Sequence, residues 1–101
     1  MIGLAELKSF GYPVIFDVTH SLQLPGGLGD KSSGRRPYLL DLAKSAVSIG
    51  IAGLFLEVHP DPDNAKCDGP SALPLSLLTE FLYQIISLDK VITKLPGLVI
   101  N

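Results

Sequence analysis

His20, Glu57 and Asp68 are the side chains in this sequence best placed to act together on one cation or one reacting group. An imidazole exchanges protons near neutral pH, and carboxylates accept protons or bind hard cations. His20 stands just past an apolar run that ends at Val18. Glu57 is near the end of a second such run, and Asp68 lies in the loop after it. Spacing alone does not separate this trio from three ordinary polar residues at strand ends, and leans slightly to the second reading. Glu57 is the most demanding of them. It sits between Leu56 and Val58, where an ionised carboxylate needs a partner because desolvation is costly. That partner is either a site residue or a structural cation such as a lysine from elsewhere. Asp17 raises the same question with less positional support. His59 shares a face with Glu57 on an extended strand, and its preferred reading is a structural hydrogen bond to the following loop.

The elements that must position these residues follow from the apolar pattern. Val14-Ile15-Phe16-Asp17-Val18-Thr19-His20 opens as a continuous β-branched and aromatic run, the signature of a strand buried on both faces. Ser21 to Arg36 carries Pro25, Gly26, Gly27, Gly29 and Gly34 and shows no periodicity, so it reads as a long loop of the kind that closes over sites. Pro37 suits a first helical turn. Leu39, Leu42, Ala43, Ala46 and Val47 then repeat at helical spacing, and Gly50 ends the helix. Gly53 to His59 is a second buried strand. A polar turn region runs to Pro74, and Leu78, Phe81, Leu82, Ile85 and Ile86 mark a second helix with Ser76 as a candidate N-cap.

The order is therefore strand, helix, strand, helix. The two strands echo each other at an offset of 40 residues, with Asp17 matching Glu57. Two βα units argue for an α/β fold with a parallel sheet. Two parallel strands alone leave open edges and an uncovered face. A complete (β/α)8 TIM barrel needs about 250 residues. The 101 residues are expected to be a single piece, the C-terminal βαβα portion of such a barrel, about its last quarter, with the N-terminal strands absent. Ligands of parallel α/β folds bind at the C-terminal ends of strands, where His20, Glu57 and Asp68 concentrate.

Composition narrows the function. Charged residues are 18% of the chain against a usual share of about a quarter, and apolar residues are 47%. So little charge on so short a chain suggests a surface meant to be covered. Eight basic and ten acidic residues leave no nucleic-acid footprint. Ile49 to Leu56 is far too short to span a bilayer, and no signal peptide is expected from the opening residues. The lone Cys67 excludes an internal disulfide framework and suits a reducing cytosol. Lys66 stands where a calcium loop needs glycine, so Asp61-Pro62-Asp63-Asn64 is not an EF-hand. The Gly26 loop, with Lys31, Arg35 and Arg36 nearby, could wrap a phosphate. It matches neither phosphate-loop pattern, and a solvated loop is the better reading of the pattern alone.

Three strings go beyond generic chemistry: FDVTHSLQ at Phe16 to Gln23, SSGRR at Ser32 to Arg36, and GLFLEVHPDPDNAKCDGPSALPL at Gly53 to Leu75. Together they closely resemble the C-terminal part of the 3-deoxy-D-manno-octulosonate 8-phosphate synthases. The resemblance covers roughly Phe10 to Lys90. It implies a (β/α)8 barrel that condenses phosphoenolpyruvate with arabinose 5-phosphate in the synthesis of lipopolysaccharide precursors. It also implies a cytoplasmic homo-oligomer, usually a tetramer, whose partners are small phosphorylated substrates rather than nucleic acid or membrane. His20, Glu57 and Asp68 match positions that bind a divalent metal (zinc, iron or manganese) in one class of that family. A cysteine on the first strand completes that set and is absent here. Cys67-Asp68-Gly69-Pro70 looks like the class that needs no metal, so no cofactor is expected. By resemblance His20 and Asp68 handle water, sugar and protons, Glu57 holds them, and Gln23 and Arg35 belong to the substrate-binding loop. The piece alone is expected to be inactive. The rival readings are a related 3-deoxy-arabino-heptulosonate 7-phosphate synthase and a non-catalytic remnant or interaction module.

Overall fold

The computed structural model describes residues 1–22, 36–64 and 72–100. Its chain order is helix α1 (Ile2–Lys8), strand β1 (Ile15–Asp17), helix α2 (Leu39–Ser48), strands β2 (Gly53–Phe55), β3 (Val58–His59) and β4 (Leu73–Pro74), and helix α3 (Leu78–Lys94). β1 and β2 pair in parallel, which requires a crossover, and α2 lies within it. α2 and α3 pack on each other. This is an α/β arrangement of short parallel strands and covering helices, consistent with the expected part of a (β/α)8 barrel.

The apolar pattern explains which face of the sheet is covered. Phe16 of β1 and its partner Leu54 of β2 pack against a core of Val18, Leu22, Leu39, Ala43, Val47, Leu73, Phe81 and Ile85. Burying each large aliphatic or aromatic side chain there contributes about 1.5–3 kcal/mol. The other face alternates to Ile15, Asp17, Gly53 and Phe55. A strand pair buried on both faces is predicted from the sequence, but Ile15 is 58% and Phe55 49% exposed. No layer among the described residues covers this second face. In a closed barrel it is the inward one.

Three further features differ from the sequence reading. The run Gly53 to His59 is predicted as one strand and is instead two. β2 pairs with β1, whereas Val58 and His59 pair in parallel with Leu73 and Pro74. The register of β1 and β2 is Ile15↔Gly53, Phe16↔Leu54 and Asp17↔Phe55, an offset of 38 residues (53 − 15). The sequence echo at 40 residues is therefore not the pairing register, and Glu57 lies two residues beyond Asp17's partner. Ser76 does not cap α3. It sits inside a 3-10 turn over Leu75–Leu77, and Leu77 takes the cap position with no side-chain bond.

The helices otherwise keep their predicted faces. Leu39, Ala43, Ala46 and Val47 of α2 are buried. Gly50 stops the helix with φ +84° while its N–H reaches the Val47 carbonyl at 2.9 Å. In α3 only Phe81 and Ile85 are buried, and Leu82 and Ile86, predicted on the apolar face, are 43% and 52% exposed. The stripe is wider than the surface that the described residues offer it. α1 was not anticipated. It buries nothing, but Lys8 Nζ donates to the Ile49 carbonyl at 2.7 Å, satisfying a carbonyl at the end of α2.

Candidate active site

The predicted meeting of His20 and Glu57 occurs on the uncovered face, at the C-terminal ends of β1 and β2. His20 opens a 3-10 turn, His20–Leu22, directly after β1. Leu22 anchors that turn in the core at 1% exposure, and its N–H donates to the Thr19 carbonyl at 3.2 Å. Ser21 Oγ donates to the Val18 carbonyl at 2.8 Å. The turn is thus tied at both its core and its polar side, and the His20 ring projects from a fixed base.

Glu57 is held by its backbone where the strands part. Its N–H donates to Thr19 Oγ1 at 2.8 Å, and its carbonyl accepts the Leu73 N–H at 2.9 Å. Thr19 and Glu57 are 38 residues apart, the offset of the β1–β2 register. The threonine hydroxyl therefore continues the ladder after the backbone has turned away. Thr19 is fully buried, and this bond gives its hydroxyl oxygen a donor there. One side of Glu57 faces β1 and the other leads into the β3–β4 pair, so the split of the predicted strand serves to place this residue.

The side chains form a row. Asp17 Oδ2 lies 2.7 Å from His20 Nδ1, and Asp17 Oδ1 accepts the His20 backbone N–H at 3.0 Å. On the far side of the ring, His20 Nε2 lies 3.4 Å from Glu57 Oε1. The three side chains are 43%, 38% and 32% exposed respectively, so the row is partly open to solvent. The Phe55 ring stands 6.3 Å from the imidazole, centroid to centroid, and lines the same face. An ionised carboxylate only accepts, so Nδ1 carries a proton toward Asp17. Nε2 is then the atom that can take or give one, with Glu57 beside it. Glu57, the carboxylate that the sequence left without a partner, stands beside His20 and pairs with it when the ring carries both protons.

Not all predicted residues can be placed. Asp68, Gln23 and Arg35 lie outside the described residues, as do Cys67 and the Gly26 loop. Arg36 is described, 3.2 Å from Asp63 Oδ1. His59 takes the structural role expected of it: its Nδ1 accepts the Asp61 N–H at 2.9 Å and turns the chain after β3. Sequence reasoning did not give Asp17, Thr19 or Phe55 a place in the site. The signal for Asp17 was available, because an aspartate three residues before a histidine at a strand end can accept both of that residue's N–H groups.

The donor atoms permit a test of the metal reading. Among the described residues no group of three or more His, Cys, Asp or Glu side chains is placed to hold a metal ion. His20 Nε2 and Glu57 Oε1 are two donors of the types that zinc, iron and manganese accept. A ring held through Nδ1 by a carboxylate is also how metal-bound imidazoles are oriented. Two donors are compatible with a metal site but do not complete one.

This geometry can be set beside known proteins. The chain is 58% identical over 96 residues to the 2-dehydro-3-deoxyphosphooctonate aldolase of Azotobacter vinelandii, covering 95% of this chain and 34% of that protein. The protein of the same name from Hahella chejuensis is 56% identical over 98 residues, which are 97% of this chain and 35% of that one. Among solved structures, the phospho-2-dehydro-3-deoxyheptonate aldolase (DAHP synthase) of Thermotoga maritima matches with a TM-score of 0.61 at 29% identity, over 78% of this chain and 20% of that chain. The chain spans about a third of the length of the curated relatives it matches. No helix among the described residues is long and apolar enough to cross a membrane. The DAHP synthetase I family matches residues 1–94, nearly the whole chain, and the chain belongs to that family.

Proposed function

We propose that this chain is the C-terminal part of a 3-deoxy-D-manno-octulosonate 8-phosphate synthase, and that the Asp17–His20–Glu57 row is one wall of its active site. The observation that carries the reading is the meeting of His20 Nε2 and Glu57 Oε1 at 3.4 Å on the strand rim. Identity of 58% to relatives named for the octulosonate product, against 29% to the heptulosonate enzyme of known structure, favours the first over the second.

The reaction joins phosphoenolpyruvate, arabinose 5-phosphate and water into the eight-carbon sugar acid phosphate and inorganic phosphate. The enol carbon attacks the sugar aldehyde, and positive charge develops at the carbon that bears phosphate. Water adds there, losing a proton, and phosphate leaves. His20 Nε2 takes or returns the proton, and Asp68 shares the positioning of water or sugar. Glu57 stabilises the imidazolium form of His20 while it holds the proton. Gln23 and Arg35 contribute to substrate binding. No metal is needed. If a metal-dependent reading holds instead, His20, Glu57 and Asp68 are its ligands. The whole protein is a cytoplasmic homo-oligomer that supplies lipopolysaccharide synthesis, and the 101 residues alone are inactive.

The test uses a full-length protein that carries this sequence. Phosphate release from phosphoenolpyruvate is followed with arabinose 5-phosphate and, separately, erythrose 4-phosphate. Turnover with the pentose phosphate supports the reading. Turnover with the tetrose phosphate alone replaces it with the heptulosonate reaction, and turnover with neither replaces it with a non-catalytic role.

A further inference from the structure

We propose that Asp17 is the positioning residue of this site, holding His20 in one tautomer and turning its Nε2 toward Glu57. Both Asp17 oxygens are engaged by a single residue. Oδ1 takes the His20 backbone N–H at 3.0 Å and Oδ2 faces Nδ1 at 2.7 Å. The first contact fixes where the turn begins, and the second fixes the rotation of the ring upon it. An asparagine in the same place offers one oxygen and one amide group: with the oxygen taking the backbone N–H, the amide donates to Nδ1, which fits only a ring whose proton is on Nε2. The link to turnover rests on the function proposed above. The tautomer does not.

The structure supplies its own reference for the tautomer. The protein has two histidines. His59 Nδ1 accepts the Asp61 backbone N–H at 2.9 Å, so its neutral ring carries the proton on Nε2. His20 is held the opposite way, with the proton on Nδ1. Two rings of one chain should therefore show opposite tautomers in one spectrum.

The experiment is nitrogen-detected NMR of the imidazole rings in 15N-histidine-labelled protein, at a pH where both rings are neutral. The expected result is an Nδ1–H pattern for His20 and an Nε2–H pattern for His59. Asp17→Asn should move His20 toward the Nε2–H form or a mixture and leave His59 unchanged, while Asp17→Glu keeps the Nδ1–H form. In an active full-length protein, Asp17→Asn should lower kcat about 10-fold or more, with KM for both substrates held within about twofold. An Nε2–H pattern for His20 in the unaltered protein overturns the proposal without any variant. So does a tautomer that Asp17→Asn does not move, or an unchanged kcat beside a moved tautomer. A moved tautomer in a full-length protein that turns over neither substrate pair upholds the Asp17–His20 link and fails the proposed function instead.

Discussion

Replacing Thr19 by valine removes one hydroxyl and keeps the shape of the side chain. In the structure that hydroxyl accepts the Glu57 N–H at 2.8 Å, and Thr19 is fully buried. Valine leaves this part-buried amide without its acceptor. Orphaning a buried donor costs about 1–3 kcal/mol, a large share of the stability of a small domain. Thr19→Ser is the matching control, since it keeps the acceptor and loses a methyl group, at a cost of about 1 kcal/mol. Urea unfolding measures both through the shift in midpoint at constant slope. Hydrogen exchange at the Glu57 amide separates the two causes, because the valine variant should speed exchange there and the serine variant should not. The account is refuted if Thr19→Val unfolds at the wild-type midpoint, or if both variants exchange at Glu57 alike. Either result would mean that the threonine hydroxyl does not hold Glu57 in place.

Other perturbations have equally definite outcomes. Gly50→Ala places a Cβ 2.9 Å from Lys8 Nζ on a backbone with φ +84°, and thermal unfolding should show a loss of about 1–3 kcal/mol. Asp63→Asn removes an ion pair whose acid is 77% exposed, and should shift the urea midpoint by less than about 0.5 kcal/mol equivalent. Treating the full-length protein with EDTA should leave its turnover intact. A loss restored by a divalent ion assigns His20, Glu57 and Asp68 to a metal instead.

Much of the fold was legible because its signals are local and repeated. The spacing of Leu39, Ala43, Ala46 and Val47 names the buried face of α2, and Gly50 marks its end. What the sequence misplaced depends on contacts between distant residues. Nothing in GLFLEVH shows that the strand changes partner at Leu56. That break follows from the Thr19 hydroxyl on one side of Glu57 and the Leu73 amide on the other. Leu82 and Ile86 carry a helical apolar signal that is correct as spacing, yet they stay 43% and 52% exposed among the described residues. The site shows the same division. His20 and Glu57 stood out by residue type and by their place after apolar runs, and the structure brings them together. Asp17 was noticed only as a carboxylate without a partner, because its role depends on which way the turn at His20 rotates the ring. α1 went unread because it buries no residue, and the bond from Lys8 to the Ile49 carbonyl joins chain positions 41 residues apart.

The proposed site turns on the imidazole at the strand rim acting in catalysis rather than in structure. Steady-state kinetics of His20→Ala in a full-length protein carrying this sequence test that most directly. The predicted result is a kcat reduced by about two orders of magnitude or more, with KM for phosphoenolpyruvate and the sugar phosphate little changed. Turnover equal to that of the unaltered protein would contradict it.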